Sequence, residues 1–268
     1  MKRYFLSCAA VLAIGLASQY ALPQTPPPIA PSPTAAETQA AEGIDPLAIS
    51  ALEQMVQRLG TLKTFEVRTR TSIDHVLANG QKIQMDGGAT YRVRRPDGFF
   101  IETSTDRRLR QFFYDGKTFT MFSPRMNVYA QVAAPPTISQ VLQKLEDEYD
   151  VSVPLNDLFH WGSEPTDVQA IKAASRVGYA KVGGADCDQF AFRQEGVDWQ
   201  IWIQKGDNPL PRKLVITTLE EPSQPQYVAY LDWDTNARID GAVFDFKPPK
   251  DTYKIEIRRV SDAAKPSN

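Results

Sequence analysis

Histidine and cysteine are scarce in this chain, with two of each among 268 residues. Zinc sites usually need about four nitrogen or sulfur ligands at fixed spacing, so this scarcity argues against them. A strongly basic character is also missing, because 30 lysines and arginines face 32 aspartates and glutamates. Nucleic acid is therefore not an expected partner. The 42% of apolar residues is instead typical of a globular protein.

The motifs of common catalytic sites are missing as well. The chain has no Gly-x-Ser-x-Gly elbow and no His-Glu-x-x-His pair, and its glycine pairs lack the context of a phosphate-binding loop. Residues 232–236 resemble the start of a calcium loop, but Ala237 and Val243 replace the glycine and the glutamate that such a loop needs. We therefore predict no catalytic residue, no metal and no cofactor.

The first residues have the pattern of a secretory signal. Lys2 and Arg3 precede the apolar run Tyr4–Leu16, which is shorter than the roughly 20 residues of a membrane-spanning helix. An uncleaved membrane anchor is the alternative. We predict a signal peptide over residues 1–17, a disordered Pro- and Ala-rich tether over 18–43, a single domain over 44–260 and a disordered tail over 261–268. After signal cleavage we expect no stable membrane insertion.

The domain is predicted to be mainly β with a few helices. Asp45-Pro46 begins an amphipathic helix that ends at Gly60. Strict alternation from Phe65 then predicts the first of six strands, with a type I′ hairpin at Asn79-Gly80 and a bulge or bend at Gly87-Gly88. About six more strands follow a helical insertion. So many antiparallel strands twist into a barrel or half-barrel, and we expect this curved sheet to wrap around the helices.

The helical insertion contains three predicted helices. The first is capped by Thr137, the second covers Leu155–Trp161, and the third covers Val168–Ala174. Within the second, His160 and Asp157 could form a general base and its orienting acid. This pair is the only basis for a hydrolase hypothesis, and a simple packing role for His160 is the alternative.

Positive charge is concentrated in the first set of strands. Two interpretations remain open, a solvated strand face or a patch for an acidic headgroup or partner. The residues concerned are Arg92, Arg94, Arg95, Arg107, Arg108 and Arg110.

Six motifs, in order along the chain, resemble a bacterial family. They are residues 90–96 (TYRVRRP), 113–120 (FYDGKTFT), 127–131 (NVYAQ), 197–202 (VDWQIW), 209–214 (PLPRKL) and 244–249 (FDFKPP). Together they resemble the predicted periplasmic proteins of domain of unknown function 2092 (DUF2092). The Arg95-Pro96 turn and the Asp115-Gly116-Lys117 hairpin are more distantly similar to LolA/LolB-type lipoprotein carriers.

This resemblance covers nearly all of residues 44–260. It implies a periplasmic location, an unclosed antiparallel barrel with helices as a lid, and a hydrophobic cavity for acyl chains. It implies no catalytic residue. The chain departs from the carriers in its long proline-rich tether, in lacking a lipid anchor, and in having no counterpart of their lid-locking arginine, so a role in lipoprotein transport does not follow.

Two functions are therefore expected from the sequence. The first is non-enzymatic binding or carriage of a lipid, acyl chain or other hydrophobic ligand, stabilised by roughly 0.8 kcal/mol per buried methylene. The candidate lining residues are those that the alternation of each predicted strand places on the inward side of the sheet. They are Phe65, Met85, Tyr91, Phe119, Met121, Trp199, Ile201 and Ile216. The alternative is an envelope protein-interaction or sensing module that uses the same fold without lipid transfer.

Overall fold

The computed structural model of the chain describes residues 43–151, 153, 155 and 168–263. The predicted signal peptide and nearly all of the tether lie outside these residues. Most of the predicted second helix, including Asp157 and His160, lies outside them as well.

The first helix, α1, spans Pro46–Thr61. Asp45 caps it, since its side chain accepts a hydrogen bond from the amide of Leu47, and Pro46 stands at the first helical position. The helix passes through the predicted end at Gly60 and is capped by Leu62 in an extended conformation. Its apolar stripe is buried in the core and consists of Ala48, Leu52, Met55, Val56 and Leu59.

Twelve strands form one sheet in the described part of the chain. The first meander contains β1 (Thr64–Val76), β2 (Lys82–Arg94), β3 (Gly98–Thr105), β4 (Leu109–Tyr114), β5 (Thr118–Ser123) and β6 (Val128–Ala133). The second contains β7 (Ala173–Val182), β8 (Ala185–Gln194), β9 (Val197–Gln204), β10 (Pro211–Thr218) and β11 (Gln226–Asp234), and is followed by β12 (Tyr253–Lys254).

The two meanders join side by side into a single open sheet. Antiparallel pairing of β1 with β11 connects them, which gives the order β12-β6-β5-β4-β3-β2-β1-β11-β10-β9-β8-β7. The predicted antiparallel sheet is thus confirmed, and it is unclosed because β7 and β12 end it without pairing with each other. The predicted last strand, Tyr253–Arg259, is wrong in extent and direction, since only Tyr253–Lys254 pairs, and it runs parallel to β6.

Two features of the β1–β2 hairpin differ from prediction. The turn is not type I′, because Gly80 has a positive φ of 81° and Asn79 does not. The amide of Gly80 donates to the carbonyl of Leu77 at 2.8 Å. The hairpin loop therefore has three residues, 78–80, and a loop of this length needs only one residue in the left-handed conformation.

There is also no bulge at Gly87-Gly88, since the register with β1 continues through both. A Cβ at Gly88 would lie 2.8 Å from the carbonyl oxygen of Thr69, so close backbone approach explains the glycine.

The second helix, α2, spans Ile138–Tyr149 and is capped by the Thr137 side chain, as predicted. Its four buried residues, Ile138, Val141, Leu142 and Leu145, join the same core as those of α1. The predicted third helix is only a single 3-10 turn, Val168–Ala170, because β7 begins at Ala173. Within the described residues, no helix is both long and apolar enough to cross a bilayer.

The helices lie on opposite flanks of one sheet face. An N-terminal bridge, Ile44 to Ala174, holds the start of α1 against β7, and the amide of Ile138 in α2 donates to the carbonyl of Pro96 beside β3. Twelve strands laid flat would span about 50 Å. Side chains from both flanks, such as Phe192 and Phe119, nevertheless belong to a single core with the helices. The sheet therefore curves around α1 and α2, and we call this side its inner face.

Candidate ligand-binding face

The inner face consists of apolar side chains that are aligned across the strands. One row crosses β1 to β5 near α2 and is fully or almost fully buried. Its members are Phe65, Val93, Phe99, Tyr114 and Phe119. The ring centroids of Phe99 and Tyr114 are 5.2 Å apart, and the Tyr114 hydroxyl donates to the carbonyl of Pro135 at 2.5 Å. This end of the inner face is a packed core.

A second row lies near the opposite end of the strands and is only partly covered. It runs through six neighbouring strands in register, with Phe192 on β8, Trp199 on β9, Ile216 on β10, Tyr227 on β11, Ile73 on β1 and Met85 on β2. Phe192 is buried and the next three are half-buried, whereas 42% of Ile73 is exposed. We call this set the rim row. It presents a continuous apolar surface that becomes more accessible toward β1 and β2.

The aromatic end of the rim row is held rigidly. The rings of Phe192 and Trp199 stack with centroids 4.2 Å apart and planes 17° from parallel. The indole Nε1 of Trp199 donates to the side-chain oxygen of Gln194 at 3.0 Å. Because its hydrogen bond is satisfied and one ring face is covered, Trp199 presents apolar surface without a polar group in need of a partner.

Two tyrosines of the inner face, Tyr227 in the rim row and Tyr91 near it, have pKa values shifted by burial. Burial raises the pKa of Tyr227 to about 12. Burial, and after it the nearby Tyr227, raises the pKa of Tyr91 well above its ordinary value. Both phenols therefore stay neutral across the physiological range, and the inner face between them carries no charge.

All eight predicted lining residues lie on the inner face, but in two different settings. Four of them are fully buried in the core: Phe65, Tyr91, Phe119 and Ile201. The other four are half-buried: Met85, Met121, Trp199 and Ile216. Three of the half-buried residues stand in the rim row, and a ligand that approaches this row meets them without displacing the core. Whether the eight line a ligand cavity stays a prediction.

Three members of the rim row, Ile73, Phe192 and Tyr227, are not among the residues predicted from the sequence. The alternation in β1 placed Ile73 in phase with Phe65, but nothing local indicates its exposure. Tyr227 belongs to the row only because β11 pairs with β1 so that Tyr227 faces Ile73. That pairing joins residues about 150 positions apart, which no short-range pattern reports.

The arginines that the sequence concentrates in the first set of strands occupy separate places in the structure. Arg92 contacts Glu66 at 2.8 Å and Arg94 contacts Asp97 at 3.1 Å, so both form ion pairs. Arg107 and Arg108 lie in the β3–β4 turn, at the other end of β3 from these pairs. The Arg125 guanidinium donates to the carbonyl of Asp106 in that turn at 2.7 Å. Arg107 and Arg108 thus form an exposed basic turn that is separate from the ion-paired Arg92 and Arg94.

Groups suited to metal binding or nucleophilic chemistry are not assembled in the described residues, which hold no cluster of three or more candidate metal ligands. Cys187 is fully buried beneath the outer face, which is the side of the sheet opposite the helices, and its pKa is raised by burial. A buried thiol of this kind is inert.

The family model of DUF2092, described as a predicted periplasmic protein, matches residues 48–258. No curated protein matches the chain significantly. Among solved structures, an uncharacterized conserved protein from Thermus thermophilus is 12% identical, covering 78% of this chain and 99% of its own, with a TM-score of 0.45.

Two further solved structures show a similar, distant likeness of fold. LprF from Mycobacterium bovis is 10% identical, with 79% of this chain and 100% of its own covered and a TM-score of 0.41. A LolA superfamily protein from Nitrosomonas europaea is 10% identical, with 74% and 97% covered and a TM-score of 0.31.

Proposed function

Because this chain belongs to the DUF2092 family of predicted periplasmic proteins, we propose that it binds or carries a lipid or other hydrophobic ligand in the periplasm without catalysing a reaction. The rim row is the observation that carries this proposal. Its half-buried apolar side chains continue the core outward on the inner face. A contiguous, partly wet apolar surface of this kind is costly to keep in a monomer unless something covers it.

The dimensions of the rim row suit an elongated apolar ligand. Six strands at about 4.8 Å spacing give the row a length of about 24 Å along the sheet. An extended acyl chain lying across the strands would contact each member in turn. Each methylene that leaves water there contributes roughly 0.8 kcal/mol.

The chemistry of the rim row favours an apolar ligand, with little selectivity for the shape of its chain or for its headgroup. Met85 is flexible and adapts to ligands of different shape, while the stacked Trp199 offers a rigid wall. The neutral Tyr227 adds no charge, since its pKa is about 12. A carboxylate or phosphate would gain nothing by lying along the row, so any polar headgroup is expected at its exposed end near Ile73 and Met85.

Native mass spectrometry of the protein purified gently from a bacterial periplasm tests the proposal directly. A stoichiometric adduct that organic extraction identifies as lipid or fatty acid is the expected result. A clean ligand-free mass, with no uptake of added fatty acid or phospholipid, would overturn the proposal and favour the interaction module instead.

A pair of methionine substitutions then tests the location of the ligand. Met85→Glu places a charge in the rim row and should reduce fatty-acid retention at least tenfold, because burying an unpaired carboxylate is costly. Met126→Glu is the matched control, since Met126 is 71% exposed and lies in the turn between β5 and β6. Equal retention in both variants, with both folded by circular dichroism, would contradict the rim-row assignment.

Tryptophan quenching provides an independent readout of the same contact. Brominated fatty acid should quench the fluorescence of Trp199, which stands in the rim row. The quenching should be lost in Trp199→Phe, which keeps an aromatic ring against Phe192. It should persist in Trp202→Phe, because Trp202 lies on the outer face under Lys213. Quenching that is unchanged in Trp199→Phe would mean that the ligand lies elsewhere.

The exposed basic turn keeps the interaction module as a second candidate. Arg107 and Arg108 are exposed and have no carboxylate partner among the described residues. Charge reversal at Arg107, Arg108 and Arg110 should abolish capture of an acidic envelope protein and leave any bound lipid in place. If capture survives the reversal, the basic turn is not the interaction site.

A further inference from the structure

The opposite side of the sheet, which we call the outer face, carries a polar cleft of about 480 Å³. The cleft lies on β1, β10 and β11, next to the β7–β8 turn at Val182 and Gly183. The polar side chains that line it are Arg68, Arg70, Arg212, Tyr230 and Asp232. We call it the cationic cleft. It contains three guanidinium groups and one carboxylate.

Local sequence and one bulge build the cationic cleft. Arg68 and Arg70 alternate with inward residues on β1, where Arg70 faces Tyr230 across the strands. On β10, Pro211 pairs with the inward Ile203, but Lys213 pairs with the outward Trp202. The extra residue between them, Arg212, is therefore added to the outer face. Without this bulge, the alternation of β10 would have put Lys213 on the inner face.

Arg212 is a largely covered cation whose ion pair, with Asp232, is long and mostly exposed. Only 19% of its side chain is exposed. Its Nε and Nη2 donate to the neutral side-chain oxygen of Gln204 at 2.8 and 2.6 Å. The carboxylate of Asp232 is 3.7 Å from Nη1 and is itself 86% exposed. The Nη1 side of the guanidinium thus keeps donor capacity toward the cleft.

Arg70, unlike Arg212, has no carboxylate partner among the described residues. Its guanidinium lies over the ring of Tyr230, with Cζ 5.6 Å from the ring centroid, which orients the group without neutralising it. Arg68 contacts Glu66 at 2.6 Å and is partly compensated. The cleft therefore has excess positive charge on guanidinium groups that their neighbours already orient.

We infer that the cationic cleft binds the phosphate group of an anionic ligand. Guanidinium groups donate paired hydrogen bonds that match the oxygens of an oxyanion, and two or more of them can surround a phosphate. The volume of the cleft falls in the range of small-molecule sites and exceeds what a bare phosphate needs, which leaves room for an attached ester group. This site is on the other face of the sheet from the rim row, so it is separate from the proposed hydrophobic-ligand function.

Isothermal titration calorimetry of the full-length protein with inorganic phosphate at low salt tests the inference. The expected result is saturable binding that Arg70→Gln combined with Arg212→Gln weakens roughly tenfold or more, because charge-assisted hydrogen bonds are lost. Arg212→Lys alone keeps the charge but removes the fork, and should weaken binding by a smaller factor. The control, Arg107→Gln with Arg108→Gln, removes the same charge from the β3–β4 turn and should bind like the unmodified protein.

Vesicles then distinguish the two sources of a phosphate group. Co-sedimentation with phosphatidylglycerol vesicles, but not phosphatidylcholine vesicles, that depends on Arg70 and Arg212 would identify a lipid headgroup. Saturable phosphate binding without co-sedimentation would identify a soluble phosphate ester. The inference is overturned if the protein fails to bind phosphate, or if the cleft variants and the control lose binding equally. Fatty-acid retention, measured on the same variants, should not change, so this result is independent of the rim row.

Discussion

The inner and outer faces of the sheet come from the same strands and have opposite character. On β1, Phe65, Val67 and Thr69 are buried beneath the helices, while the intervening Arg68 and Arg70 line the cationic cleft. Side chains that alternate along a strand point to opposite faces, so a single strand contributes to both surfaces. The comparison teaches that one strand can supply apolar side chains to a covered face and charged side chains to the opposite face.

The faces should also differ in what their aromatic residues contribute to stability. Phe119 is fully buried on the inner face, and Phe119→Ala should lower the free energy of unfolding by about 3–5 kcal/mol. Phe113 is half-buried on the outer face, where Phe246 lies 5.1 Å away. Phe113→Ala should cost on the order of 1–2 kcal/mol. Urea denaturation measures both, and equal losses would remove the distinction between the faces.

The burial of Tyr227 on the inner face should appear as a loss of stability at high pH. Because burial raises the pKa of Tyr227 from 10.0 to about 12, the folded protein holds this proton more tightly than the unfolded chain. The stabilisation is fully present below pH 10 and is lost as the pH rises toward 12, by about 3 kcal/mol at most. Tyr227→Phe should lose less stability across this window, and identical pH curves for the two proteins would show that burial does not shift the pKa of Tyr227.

Adding a methyl group where two strands lie close together should have a smaller effect on the stability of the protein. A Cβ at Gly88 would lie 2.8 Å from the backbone oxygen of Thr69, so Gly88→Ala should cost about 1–3 kcal/mol. Gly178 on β7 has no atom within 4 Å of the corresponding position. Gly178→Ala should be neutral or stabilise by about 0.4–1 kcal/mol. Thermal unfolding of both variants measures this difference, and a harmless Gly88→Ala would mean that the strands separate easily there.

The smallest expected effect belongs to ion pairs on the outer face. Arg193 donates two hydrogen bonds of 2.6 Å to Asp198, and these hydrogen bonds lower the pKa of the Asp198 carboxyl. The pair therefore stabilises the fold above the ordinary pKa of an aspartate, and this contribution is lost as the pH falls through the lowered value. Since the pair is largely exposed, Arg193→Gln should cost less than about 1 kcal/mol at pH 7. A larger loss by urea denaturation would show that the pair is better shielded than its exposure indicates.

Most of the fold could be predicted because its signals are local. The cap at Asp45, the stripe of α2 and the alternation in β1 each depend on residues within a few positions of one another. The predicted third helix over residues 168–174 failed for a related reason. A short apolar run fits a helix or a strand, and the bridge to Ile44 and the pairing with β8 make its last two residues, Ala173 and Ala174, part of β7.

The site was harder to predict than the fold. Strand phase placed all eight candidate residues on the inner face, but it did not separate the buried Tyr91 from the half-buried Met85, which are in the same phase on the same strand. Their difference depends on which neighbouring strands and helices extend over each position. The arginine cluster shows the same limit, since ion pairs with Glu66 and Asp97 compensate Arg92 and Arg94.

The sequence by itself determined the order of helices and strands, the two-faced character of each strand and the resemblance to a periplasmic family, because these follow from local pattern and motif. Tertiary structure alone decided that Ile73 meets Tyr227 through the β1–β11 pairing. It also decided that the β10 bulge adds Arg212 to the outer face. Register and bulges arise from packing between distant segments, and both proposed sites depend on them.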